Sequence, residues 1–288
     1  MKMKGSPIVN KNMLNALVID LEYWFCAEEI RELVTEISDD QIIESTTPIL
    51  DLLDKYNIKA TFAVQGAVGE KHPEFIKAIY DKGHEIASHA YSHKPVHVLG
   101  KQGFEEEIKK SVALLSSITG ENPIGFRAPT SSINNKTIWA MDILVKYGFK
   151  YEASLCPVWT PQYGVPGAPL TCYHPSFVDL AKEDNKSQIL EFPMTVLKMG
   201  AQFPVAGGFW LRTAPLWFSR WALKRVNRKR QGMVYIHPWE TYRKTPRIKG
   251  ISLLDRFVLY YGIDSTLKKL ESMLRAFEFA PIRQVLKL

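Results

Sequence analysis

The chain has 288 residues, 46% of them apolar, enough for a sizeable core and too many for a disordered chain. Three cysteines, Cys26, Cys156 and Cys172, are odd in number and show no metal-type spacing, which argues against a full disulfide framework and favours a reducing compartment. The net charge of +7 is uneven: residues 220–249 hold ten Lys/Arg against one acid, Glu240, a basic surface suited to phosphate groups or an anionic membrane, or a solvated face.

The predicted elements alternate. Residues 16–20 form a short apolar strand, and 45–56 a helix with Ser/Thr caps ahead of Ile49, Leu50, Leu52 and Leu53. A second strand covers 60–64. His72-Pro73 opens a helix through Tyr80, stopped by Gly83. Glu85–Ser88 is the third strand, 104–118 an amphipathic helix ending at Gly120, and 124–126 strand-like. A helix over 134–147 is closed by Gly148, with a strand at 149–153. Strands are expected at 189–192 and Met233–Ile236 with a helix between them, then a last helix at 265–277 and a last strand at 282–286. Such alternation predicts a parallel (β/α) barrel or a doubly wound sheet. Asp20, His89, Arg127, Ser154 and His237 each follow the apolar run of a strand. In a barrel those positions converge on one face, which favours the barrel. Residues 153–178 hold five prolines and no charge, and 199–211 are also uncharged; both read as structured loops over a site. No repeat or linker divides the chain, so one domain over 1–288, with a core from about residue 15, is expected. No uninterrupted apolar stretch reaches the length of a membrane helix. No leader-type segment follows Met1, so a cytoplasmic location is expected.

His89 and His93, four apart, can turn to one side of a helical turn or tight loop. With one carboxylate they give a divalent metal three ligands and leave positions open. Asp20 and Glu22 stand two apart on one strand, so their side chains point the same way. One can bind metal while the other takes a proton from water. Arg127, in Arg127-Ala128-Pro129, can pair with and orient a carboxylate. His237 can protonate a leaving amine.

The order Asp20-x-Glu22, His89-xxx-His93, Arg127-x-Pro129, Tyr151-Glu152-Ala153-Ser154 and Ile236-His237 resembles the polysaccharide deacetylase family with its NodB-homology domain. Gly125-Phe126-Arg127-Ala128-Pro129, Tyr163-Gly164-Val165-Pro166, Gly207-Gly208-Phe209-Trp210-Leu211-Arg212 and His237-Pro238-Trp239-Glu240 are similar to the subgroup found with bacterial exopolysaccharide and surface-glycan synthesis. The resemblance implies a distorted (β/α) barrel and a divalent metal, zinc first and cobalt or manganese next. It implies removal of N-acetyl, sometimes O-acetyl, groups from sugars. Carried over by position, Asp20 is the base, Glu22, His89 and His93 the metal ligands, Arg127 the partner of Asp20, and His237 the acid. Thr130 supplies an oxyanion N–H, Leu155 and Trp159 cup the acetyl methyl, and Arg212 lies at the substrate. Glu152 stands where the family has an aspartate, and Glu191 is a candidate to tune His237. The departures are Leu21 after Asp20, Glu22 as ligand, Tyr23 where an acid is common, and Thr130 where a tyrosine is common.

The expected substrate is an N-acetylated glycan or a lipid- or nucleotide-linked precursor. For 217–249 the favoured reading is a barrel helix whose tryptophans pack inward; peripheral membrane or lipid-linked glycan contact, at the inner face of the membrane, is the alternative. A formamido-sugar deformylase and a glycan-binding homologue without turnover are the alternatives. No nucleic-acid partner is expected, because the basic run lacks any recognised motif.

Overall fold

The computed structural model describes residues 13–34, 40–160 and 163–288. Its strands are β1 (Leu14–Leu21), β2 (Thr61–Val64), β3 (Glu85–Ser88), β4 (Gly125–Phe126), β5 (Tyr151–Glu152), β6 (Leu190–Glu191), β7 (Val196–Met199), β8 (Ala201–Pro204), β9 (Met233–Ile236) and β10 (Glu278–Ala280). Its helices are α1 (Ile42–Lys55), α2 (Gly66–Lys71), α3 (Pro73–Asp81), α4 (Val96–Thr119), α5 (Trp139–Lys146), α6 (Gly208–Thr213), α7 (Leu216–Val226), α8 (Leu253–Tyr260), α9 (Ile263–Leu274) and α10 (Ile282–Leu286).

Eight strands form one sheet in the order β10-β1-β2-β3-β4-β5-β6, with β9 also paired to β1, and every pairing is parallel. Beyond β6, among the described residues, isolated bonds and not a ladder lead to β9, Tyr235 N donating to Ala206 O at 3.0 Å. Thr195 Oγ1 accepts from Met233 N at 2.6 Å and lies 2.8 Å from Met233 O. The result is a distorted (β/α) barrel, as expected.

β1 shows how the barrel sorts its residues. Strand side chains alternate faces. Leu17, Ile19 and Leu21 join Phe62, Val64, Ile49 and Leu53 in the apolar layer that also contains α1 residues. The smaller Ala16 and Val18 fall in a separate cluster with Ala63, Tyr151 and Met233. Asp20 shares the parity of Ala16 and Val18, so β1 delivers its carboxylate to the barrel interior at the carboxyl end of the strand.

Most expected elements are present with shifted ends, and the differences have local causes. α4 begins earlier than expected, running through a break at Gly100, whose φ of 65° leaves the helical region. α5 begins later, because residues 134–137 form a turn in which Thr137 Oγ1 accepts from Asn134 N at 3.0 Å. Between β6 and β9 the single expected helix is replaced by the antiparallel β7–β8 hairpin and two helices, α6 and α7. The strand expected at 282–286 is α10, and the strand is β10 just before it. Pro281 ends the ladder, and Ile282 and Val285 are buried at helical spacing. The first α10 amides are satisfied across the barrel floor: Ile282 N donates to Thr61 Oγ1 (2.8 Å) and Arg283 N to Glu85 (3.1 Å).

Candidate active site

Apart from the long loop and Arg212, which lies on α6, the singled-out polar positions stand at or just after the carboxyl ends of parallel strands, hence at one end of the barrel. Asp20 comes from β1 and Glu22 from the residue just after it, His89 and His93 from the loop after β3, and Arg127 and His237 directly follow β4 and β9. The loop after β3 is not a helical turn. Ala90 and His93 both have left-handed backbone, φ 55° and 63°, a conformation that costs energy in non-glycine residues and clusters at functional sites.

Glu22, His89 and His93 form the metal-type group among the described residues: their ligand atoms all lie within 4.8 Å of one another, and all three are buried. Both imidazoles turn Nε2 to the same Glu22 oxygen, His89 at 3.3 Å and His93 in close contact. His89 Nδ1 lies 2.7 Å from Arg127 O, which fixes the ring and leaves Nε2 to face the group. Burial holds His93 below the ordinary imidazole range despite Glu22 beside it; a neutral ring is the form that binds metal. Burial alone would raise Glu22, but His93 and His237, with bonds from His89 and His93, hold it well below the usual carboxylate range. Two imidazole nitrogens and one carboxylate, buried and converging, fit a divalent transition metal.

Beside this group lies Asp20, with Arg127 Nε 2.8 and 2.9 Å from its two oxygens. Arg127 is itself fixed, with Nη1 donating to Ala153 O and its guanidinium 4.3 Å from the centre of the Tyr235 ring. His237 Nε2 completes the triangle at 3.6 Å from Asp20 and 3.7 Å from Glu22. Its other nitrogen, Nδ1, lies 2.7 Å from Glu240 Oε2, which also accepts from His237 N at 3.1 Å. Burial works against protonating His237, but Glu22, Glu240 and Asp20 outweigh it and raise the ring to about 9. Burial likewise disfavours charge on Glu240, and His237 and Arg212 bring it down to about 2.

Residues 33–151 match the family model for polysaccharide deacetylases. Over this stretch, less than half of its length, the chain is similar in sequence to the polysaccharide deacetylases. Residues 153–287 match a second model, a domain of unknown function, DUF3473. The deacetylase match leaves Asp20 and Glu22 on one side and His237 on the other. A peptidoglycan deacetylase of Helicobacter pylori is 39% identical over 117 residues, 40% of this chain and 39% of that protein. A peptidoglycan-N-acetylglucosamine deacetylase of Bacillus cereus is 33% identical over 112 residues, 38% of this chain and 41% of that protein. The chain thus spans about two fifths of the length of these relatives. A Mycobacterium smegmatis chain assigned to the polysaccharide deacetylases has the same fold, with a TM-score of 0.60 at 17% identity, covering 99% of this chain and 92% of that one.

Around the Glu22, His89 and His93 group the remaining expected residues divide. Thr130 lines the cavity. Its backbone is left-handed, φ 52°, and its N–H has no hydrogen bond among the described residues. Leu155, expected at the acetyl methyl, is instead a core residue packed with Phe126 and Ala128. Trp159 is 74% exposed and away from the cavity lining, next to residues 161 and 162, which lie outside the described residues. From the same loop it is Tyr163 that lines the cavity. Arg212, expected at the substrate, does line the cavity, but it is buried and its guanidinium is held by the protein: Nε donates to Glu240 (2.8 Å), Nη1 to Tyr261 O (2.7 Å) and Nη2 to Val258 O. Glu191, the candidate partner of His237, lies elsewhere. It sits against Glu152, and its Oε1 accepts from Leu155 N at 3.2 Å. Glu152 accepts from Ser154 N and Ser154 Oγ.

Glu240 and Trp239 are the residues that sequence reasoning left inside a motif without a role. Trp239 stacks on His237, with ring centres 5.3 Å apart, and its Nε1 lies 3.4 Å from Glu22 Oε1. A signal for Glu240 existed: a carboxylate three residues after His237, with proline between, is the spacing of a capping box.

Proposed function

We propose that the chain is a metal-dependent hydrolase that removes the N-acetyl group from an amino sugar. The observation that carries this reading is the convergence of His89 and His93 Nε2 on one Glu22 oxygen, beside an arginine-held Asp20 and a carboxylate-held His237. Glu22, His89 and His93 would hold the ion, with zinc favoured by the nitrogen-rich donor set over cobalt or manganese. A divalent ion there supplies Lewis acidity toward the acetamide carbonyl. Asp20, oriented by Arg127, accepts a proton from the attacking water. The Thr130 N–H donates to the developing oxyanion. His237, oriented by Glu240, gives its proton to the departing amine nitrogen. Water and amide become acetate and a free amino sugar.

The substrate class we favour is a glycan or its lipid- or nucleotide-linked precursor, in the surface-glycan setting that the motifs suggest. With it go a cytoplasmic location at the inner face of the membrane and peripheral contact through 217–249, where Trp217 and Trp221 are exposed among basic residues.

The test is acetate release from N-acetylhexosamine oligomers and from lipid- and nucleotide-linked sugars. The protein is stripped of metal and reloaded with zinc, cobalt or manganese. Metal-dependent release, reduced by about 100-fold or more in His89→Ala, is expected. Formate in place of acetate would move the reading to a deformylase. Metal binding with no release from any substrate would overturn the hydrolase.

A further inference from the structure

α8 is an exposed apolar helix at the rim of the cavity. Leu253 and Leu254 are 83% and 70% exposed, and Phe257 and Tyr261 are exposed below them. These positions recur at helical spacing and form one stripe. The next residues, Val258 and Leu259, line the cavity, and the Phe257 ring meets that of Phe209, another lining residue, at 6.4 Å. The stripe therefore runs from solvent to the mouth of the site. A monomer in water gains nothing from four such side chains in a row.

The segment that leads into α8 supplies charge. Arg243, Lys244, Arg247, Lys249 and Arg256 are exposed within two dozen residues of Glu240. Arg243 pairs with Asp264 at 3.3 Å, while the other four have no ion pair among the described residues. The one acid of the segment, Asp255, is engaged by Ser252, whose Oγ lies 2.7 Å from Oδ2 and accepts from Asp255 N at 3.0 Å. Exposed leucines and aromatics flanked by unpaired cations match the chemistry of an anionic bilayer surface: apolar side chains enter the acyl boundary and cations meet the phosphates. Among the described residues no helix is long and apolar enough to cross a membrane, so contact through α8 would be interfacial.

We propose that α8 and its basic approach, residues 243–261, dock the protein on an anionic lipid bilayer and set the mouth of the cavity at the headgroups. The proposal moves the main membrane contact from α7 to the edge of the site. It rests on the proposed function only for the reason a site should open there; the docking itself needs no turnover.

Co-sedimentation tests it with vesicles of phosphatidylcholine containing a third phosphatidylglycerol, against pure phosphatidylcholine. The full chain is compared with L253D/L254D and with W217S/W221S. The parent and the tryptophan variant are expected to bind the anionic vesicles at low salt. The leucine variant should lose about 10-fold or more in partitioning, and circular dichroism should confirm that it folds. Its turnover of a soluble substrate should match the parent, so turnover without docking, or docking without turnover, tells the two proposals apart. Four outcomes would overturn the docking: no binding to anionic vesicles, equal binding to both compositions, loss only in the tryptophan variant, or a self-association in sedimentation velocity that L253D/L254D abolishes.

Discussion

His237 has two neighbours that ask different things of it. Nε2 faces Asp20 and Glu22, while Nδ1 is held by Glu240. An acid must be protonated to work, so activity falls as the pH rises through its pKa. The ring is raised to about 9, with Glu240 among the charges that offset its burial. Glu240→Gln should therefore lower kcat by on the order of 10-fold or more and move the alkaline limb of the kcat/KM profile to lower pH. Glu240→Asp should restore part of both, and a profile that stays in place would deny Glu240 this role. Glu191 gives a stability counterpart. Burial, then the neighbouring Glu152, pushes its carboxyl well above 4.5. A native pKa above the unfolded one means that the stabilising contribution is complete below the unfolded value. It is lost as the pH rises through the native one. Glu191→Gln removes that loss, so its Tm relative to the parent should increase as the pH rises above the ordinary carboxylate range. The metal group, Asp20 with Arg127, and His237 were legible because each stands at a strand end with a chemically distinctive side chain. The partners Glu240 and Arg212 were assigned no role or another one. What they do depends on which side chain sits across a buried contact, and a strand-end pattern does not encode that.

At the scale of elements, α6 is placed by a close approach. A Cβ on Gly208 would lie 1.6 Å from Glu240 Oε2, and one on Gly207 2.4 Å from the Tyr235 hydroxyl. The two glycines let the start of α6 pass over the end of β9, and one turn later Arg212 reaches the carboxylate that holds His237. Gly208→Ala should push Glu240 off His237. The expected loss is about 1–3 kcal/mol of stability, with a fall in kcat at nearly constant KM, read by denaturant titration and steady-state kinetics. Short strands are legible where apolar runs are clear, such as 60–64 and Met233–Ile236. The last element reads as a strand in sequence because three apolar residues, Ile282, Val285 and Leu286, in a five-residue window set no secure period. Its spacing of buried residues and its floor contacts through Thr61 and Glu85 decide for the helix.

The whole molecule joins distant parts of the chain at β1. β2 pairs with it in residues 18–21, β9 in residues 16–19 and β10 in residues 14–16. The deacetylase match of residues 33–151 contains His89, His93 and Arg127 but neither β1 nor β9. A protein cut to 33–151 should show no cooperative unfolding transition and no stoichiometric zinc binding by calorimetry; tight binding would mean that Glu22 is dispensable. The same arrangement bears on how the molecule is made. Asn15 and Gly232, joined by a hydrogen bond in the finished barrel, are 217 positions apart. A ribosome adding about 5–20 residues per second needs on the order of 10–40 s to cover that interval. For that time the longest strand of the protein is outside the tunnel without β9 or β10, and a chaperone that shields a bare strand edge has its longest opportunity there.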